Sequence, residues 1–176
     1  MLLSYKNLTI RNATIDDAPI LATWWNDGKI MAHAGFPLGT GEKAEAIAER
    51  IRQDSDDTRR RLIIELDHTP IGEMSYYNMG NLTAEIGIKI CDFSKQNQGL
   101  GKLYLSMLFS SLFDDMGYEV IIIDTNLKNE RAQHVYESMG ASKVGIRTDA
   151  WRDQLGELQS TVDYKLYKKD FVNFAK

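Results

Sequence analysis

The stretch from Thr83 to Asp124 constrains the fold more than any other part of this chain. In Thr83–Ile90 the residues Ala84, Ile86, Ile88 and Ile90 alternate with Glu85, Gly87 and Lys89, the period-two pattern of a strand with one buried face. The loop Gln96-Asn97-Gln98-Gly99-Leu100-Gly101-Lys102 leads into Gly99–Met116, where Leu100, Leu103, Tyr104, Met107, Leu108 and Leu112 recur at helical spacing. Gly117 ends that helix. The segment Tyr118–Asp124, with Val120-Ile121-Ile122-Ile123 at its centre, reads as a short strand inside a sheet covered on both faces.

The flanking segments extend the same sheet. Leu8–Arg11 is a short strand, and Thr14 is placed to cap a helix, with Asp17 as its acidic partner and Pro19 in the first turn. A glycine-rich stretch, Gly28–Gly41, precedes a second helix over Glu42–Gln53. Leu62–Leu66 and Ile71–Tyr77 are strands joined by the turn Asp67-His68-Thr69-Pro70. Asn129–Met139 is a helix closed by Gly140, and Lys143–Trp151 and Leu158–Tyr167 form a final hairpin through Gly156. With no linker or repeat along its 176 residues, the chain reads as a single domain, 1–176, around one core. Its fold class is α/β (α+β): a mixed, mostly antiparallel sheet of six to seven strands with helices on both faces.

Composition narrows the partners. The 21 basic residues against 25 acidic ones form no long stripe, so no nucleic-acid partner is expected. One cysteine, Cys91, leaves no disulfide framework, and no histidine or cysteine constellation points to a metal. No run of about 20 apolar residues spans a membrane, and Met1–Ile10 lacks the pattern of a signal peptide. A cytoplasmic location is the resulting expectation.

The loop Gln96–Lys102 lies between a strand and a helix start, where unpaired N–H groups carry partial positive charge and glycines let the backbone close around an anion. A plain turn that uses glycine would show the same residues. Two phosphate loops fail on spacing. The P-loop needs Ser or Thr where Leu103 stands and a glycine where Gln96 stands; the dinucleotide fingerprint needs a third glycine where Tyr104 stands. ATP and NAD are disfavoured.

The pattern Q-x-x-G-x-G over Gln96–Gly101 resembles the coenzyme A pyrophosphate motif of the GNAT superfamily of N-acetyltransferases. Ala84-Glu85-Ile86-Gly87-Ile88 and Asn129-Glu130-Arg131-Ala132 with Tyr136 and Gly140-Ala141 resemble that family's other signatures, in the right order. The resemblance covers essentially the whole chain. Leu8–Thr14 and Trp24-Trp25-Asn26-Asp27 look most like the branch of ribosomal-protein alanine acetyltransferases. It implies a V-shaped splay between two central parallel strands, with a bulge at Gly87, and acetyl-CoA as co-substrate. Its contacts would be the backbone of Ile88, Lys89 and Ile90, the loop Gln96, Asn97, Gln98, Gly99, Leu100, Gly101 and Lys102, and Asn129, whose helix-capping role would alone explain it.

Acetyl transfer from a thioester to an amine needs the amine deprotonated, the carbonyl held and the leaving thiolate protonated. The family places its general-acid tyrosine where Tyr136 stands; without the resemblance Tyr136 would read as a core residue. Glu85, or secondarily Glu73 on the neighbouring strand, is the candidate base, acting through a water. Trp25, His33 and Trp151 are candidates for the acceptor side. The expected activity is direct attack of a primary amine, small-molecule or peptide, on acetyl-CoA in a ternary complex. An inactive acyl-CoA sensor is the alternative. A homodimer through the last strands or the sheet edge is implied by resemblance only.

Overall fold

The computed structural model describes residues 1–176. In chain order the elements are β1 (Leu2–Tyr5), β2 (Leu8–Asn12), α1 (Ala18–Trp25), α2 (Gly28–Met31), α3 (Ala44–Arg52), β3 (Arg59–Leu66), β4 (Thr69–Asn78), β5 (Thr83–Ile90), α4 (Leu100–Ser110), β6 (Val120–Asn126), α5 (Glu130–Ser138), β7 (Ser142–Arg152) and β8 (Leu158–Tyr167). All eight strands form one sheet in the order β1-β2-β3-β4-β5-β6-β8-β7. The expected six to seven strands become eight because Leu2–Tyr5 hairpins back on Leu8–Arg11.

The start of α1 follows the capping logic of its sequence. The Thr14 N–H donates to Asp17 Oδ2 at 2.7 Å, a 3₁₀ turn covers Ile15–Asp17, and Pro19 sits in the first turn of α1, where its missing N–H is harmless. The Arg11 guanidinium binds Asp17 at 2.8 Å and Glu65 at 2.7 Å, tying this turn to β2 and β3.

Two cores lie on opposite faces of the sheet. On one face α4 and α5 pack over β2–β6 and β8 through Tyr76, Tyr104, Phe109, Leu112, Ile121 and Tyr164. On the other, α1 and α3 cover Ile63 with Leu21, Trp24, Trp25 and Ile47. Each such side chain, fully buried, contributes about 1.5–3 kcal/mol. The pleat of β5 holds: Ala84 and Ile86 are buried under α4.

Helix α4 departs from the one-sided pattern expected of it, because Tyr104–Phe109 are all buried. The C-terminal segment covers the second side. Phe171 packs on Phe109 and Phe113, and the Phe174 N–H donates to Ser106 Oγ at 3.0 Å. The helix then widens into a π-helical turn, Ser111–Asp115, before Gly117 ends it at φ +77°.

The feature that positions the site is the parting of β5 from β6. These strands pair in parallel only over Thr83↔Val120, Ala84↔Ile121 and Glu85↔Ile122. Beyond that point β5 stays with β4 as far as Ile90, and β6 stays with β8 as far as Asn126. Each strand is held by its outer neighbour while its inner edge is released, which produces the V-shaped splay. The bulge expected at Gly87 is absent: β4 and β5 keep an unbroken register, and a Cβ at Gly87 would press on Ser75 Oγ at 3.3 Å. Close approach of a neighbouring side chain accounts for that glycine.

Candidate active site

A cleft of about 770 Å³ runs through the splay. The loop Gln96–Gly99 and the start of α4 form one mouth, together with Arg131 on α5. At the other mouth stand Lys29 and His33, from α2 and the turn after it, and Trp151 from β7.

The loop is shaped by backbone conformation. Asn97 and Gly99 adopt left-handed φ values of +60° and +75°, and Gly99 is the N-cap of α4. The Gln96 amide donates to Ile90 O at 2.9 Å, anchoring the loop to the end of β5. From α5, Arg131 donates to Asn97 Oδ1 at 2.6 Å and Gln96 Oε1 at 3.4 Å. Gly101 needs no special φ, and a Cβ there would meet only Ile90 Cδ1, at an ordinary 3.8 Å. A glycine costs a helix about 0.5–1 kcal/mol relative to alanine. With no protein atom requiring it, the missing side chain leaves room above the helix start. The unpaired N–H groups there, two cations (Lys102 and Arg131) and the free inner edge of β5 fit a diphosphate followed by an extended amide-bearing arm.

Ten of the eleven expected coenzyme-binding residues line the cleft: Ile88, Lys89, Ile90, Gln96, Asn97, Gly99, Leu100, Gly101, Lys102 and Asn129. Gln98 does not, because its amide turns back to Ser94 O at 2.7 Å. Asn129 caps α5 as expected, accepting from the Ala132 N–H at 3.2 Å. Lys102 is steadied by the Phe174 ring, 4.3 Å from its ammonium.

Tyr136 lines the cleft and is 6% exposed. The Tyr104 hydroxyl donates to Glu65 O and that of Tyr164 to Glu137 Oε1; the Tyr136 hydroxyl has no such protein partner. Burial, reinforced by Asp124 and Tyr164, pushes its phenol well above the usual tyrosine range, because desolvation disfavours the phenolate. The group stays protonated and able to donate at any ordinary pH.

The expected carboxylates lie elsewhere. Glu85 occupies the last paired position before the strands part, on the face opposite Ile86, and lines a second pocket of about 230 Å³ with Asp124, Arg147 and Asp163. Burial, then Asp124, raises its carboxyl above the usual range, and Arg147 opposes the shift. Glu73 is tied up by Trp25 Nε1 at 2.8 Å and Lys89 Nζ at 3.3 Å. Trp25 itself is buried in the smaller core, pulled inward by that bond, and does not line the cleft. His33 and Trp151 do; Trp151 donates to Thr161 Oγ1 at 3.0 Å, and its ring fills the space beside Gly35.

Lys29, Asp124, Arg131 and Thr161 also line the cleft and were not expected there. Arg131 lay within a quoted motif and was legible as a cation beside the glycine loop. Asp124 lines both pockets, a position that no local pattern reveals.

Near the second mouth two segments far apart in sequence are joined. The Gln154 N–H donates to Gly35 O at 2.8 Å. Its side-chain amide donates to Gly39 O at 3.0 Å and accepts from the Leu38 N–H at 2.9 Å.

A sheet opened between two parallel strands, with a glycine loop and a helix start at one mouth of the opening, is the architecture of an acetyltransferase. A family model described as an acetyltransferase (GNAT) domain matches residues 7–142, and the chain belongs to that family. Among curated proteins compared by sequence, none matches.

Solved structures agree in fold. A probable acetyltransferase superposes with a TM-score of 0.83 at 23% identity, covering 97% of this chain and 99% of its own. Spermidine N-acetyltransferase from Vibrio cholerae, in complex with CoA and spermine, gives 0.84 at 20% identity, covering 95% and 99%. RimL, the ribosomal L7/L12 alpha-N-protein acetyltransferase, in complex with coenzyme A, gives 0.81 at 16% identity, covering 95% and 98%.

Proposed function

We propose that this protein transfers an acetyl group from acetyl-CoA to a primary amine by direct attack in a ternary complex. The observation that carries the reading is Tyr136: a phenol without a protein partner, in a cleft with a glycine loop and a helix start at one mouth and acceptor-side residues at the other. The solved relatives acting on spermidine and on a ribosomal-protein N-terminus support an amine as acceptor.

The chain's own groups divide the work. The loop Gln96–Gly99 and the start of α4 hold the diphosphate, with Lys102 and Arg131 balancing its charge. The released edge of β5 at Ile88–Ile90 holds the arm extended and offers N–H groups to the thioester carbonyl. As the new N–C bond forms and the C–S bond breaks, Tyr136 donates a hydrogen bond to the departing sulfur. An alkyl thiol titrates near pH 8.5, well below this phenol, so Tyr136 acts first as a hydrogen-bond donor to the charge building on sulfur, and any proton that passes to the thiolate is restored to the phenol from water. The amine's proton leaves through water on the acceptor side, where Asp124 is the carboxylate that lines the cleft. Glu85, outside the cleft, lies close enough to Asp124 for the two charges to interact.

The test is thiol release from acetyl-CoA with a panel of primary amines, the products weighed by mass spectrometry. Acetylated product with at least one amine supports transfer. Tight binding of acetyl-CoA without thiol release from any acceptor overturns it and favours a sensor.

A further inference from the structure

The acceptor mouth has two walls of opposite charge. On one wall Lys29 and His33 are exposed to the cleft, and neither enters an ion pair. Lys89 also lines this side, but its ammonium is balanced by Glu73 at 3.3 Å. The facing wall carries Asp124, whose only ion-pair partner, Arg147, is shared with Asp163. Glu85 stands behind Asp124 in the adjoining pocket, where Glu85, Asp124 and Asp163 outnumber Arg147 and Lys165. Two residues further along this wall, opposite Asn126, Thr161 is 4% exposed. Its oxygen accepts from Trp151 Nε1 at 3.0 Å, and its hydroxyl proton is left for something in the cleft.

A free cation on one wall and a surplus anion on the other select against an acceptor of uniform charge. A polyamine would meet Asp124 favourably and Lys29 unfavourably. A molecule carrying an ammonium and an anion satisfies both walls. With Trp151 walling this mouth and packed beside Gly35, the space suits a small molecule more than a polypeptide. Resting on the acetyltransfer reading above, we propose that the acceptor is a small zwitterion, its amine facing Asp124 and Thr161 and its carboxylate or phosphate facing Lys29.

The test uses matched pairs with the full-length protein: lysine against cadaverine, phenylalanine against phenethylamine, and phosphoethanolamine against ethanolamine, with spermidine as a polycation. Thiol release is expected to give a kcat/KM about tenfold higher for the member with the anion; the pair showing this identifies carboxylate or phosphate. Lys29→Glu should erase or reverse that ratio, through the acceptor's KM rather than kcat. Lys29 is exposed on a short helix, so the variant's melting temperature and acetyl-CoA KM report its integrity. If spermidine or the anion-free amines react as fast as their partners, or if the ratio survives in Lys29→Glu, the zwitterion proposal falls while acetyl transfer stands. Acetylation of peptide N-termini alone also overturns it. Absence of thiol release with every acceptor removes the acetyltransfer reading and this proposal together.

Discussion

Replacing Gly101 by alanine separates what the fold requires from what the coenzyme requires. The residue is in the first turn of α4 with an ordinary helical φ, and a methyl there would touch only Ile90 Cδ1 at 3.8 Å. Restricting the unfolded chain and improving helix propensity should stabilise the free protein by about 0.5–1 kcal/mol. For a domain of this length that is roughly 1–4 °C in melting temperature. The same methyl projects over the helix start where the diphosphate would sit, and a tenfold loss of affinity corresponds to about 1.4 kcal/mol. At a coenzyme concentration 100 times the wild-type Kd, the wild type gains about 2.7 kcal/mol from binding. The variant, at only ten times its own Kd, gains about 1.4 kcal/mol. Melting curves should therefore cross: Gly101→Ala melts higher than wild type alone and lower with coenzyme A. A variant that melts lower without ligand would show that the fold needs this glycine. An unchanged coenzyme-induced shift would show that the loop does not seat the diphosphate. Either result refutes the reasoning.

Two further perturbations probe the chemistry. Tyr136→Phe removes a hydroxyl with no protein partner, so its melting temperature should stay near that of wild type while kcat drops by about 10²–10⁴-fold at an unchanged acetyl-CoA KM; unchanged turnover would remove the tyrosine from the mechanism. Glu85 has a raised folded-state pKa from burial and Asp124, so folding disfavours its charged form, a penalty present above the folded pKa and relieved as pH falls through it toward the unfolded value. Glu85→Gln should then melt higher than wild type at pH 7–8, with the gain vanishing near pH 4, and it should retain turnover; a gain that persists in acid, or lost turnover, contradicts its placement outside the cleft.

Local patterns in the sequence went far toward this structure because they report local physics. The alternation in Thr83–Ile90 placed Glu85 on the face opposite Ile86, and the glycines at 99 and 101 marked a helix start shaped to suit an anion. What the alternation could not report is where pairing with β6 stops. That boundary follows Glu85↔Ile122, so Glu85 falls just outside the opening and Asp124 just inside it. Trp25 read as a pocket residue because an aromatic beside a loop fits either place; only the bond to Glu73, 48 residues away, draws it inward. The second buried side of α4 and the extra strand Leu2–Tyr5 likewise depend on partners remote in sequence, the C-terminal aromatics in one case and Leu8–Arg11 in the other.

The side chain of Gln154 bonds to Leu38 and Gly39, 116 and 115 residues away. The glycine-rich loop and the last hairpin are therefore one unit joined at Gln154, through both its side chain and its backbone N–H. A replacement in either segment is transmitted to the other through that joint, so acceptor preference should drift by paired changes rather than single ones. Grafting one of these loops from a relative would import half of a lock. Exchanging both together, with Gln154 or its counterpart included, is the smallest transplant that carries specificity with it.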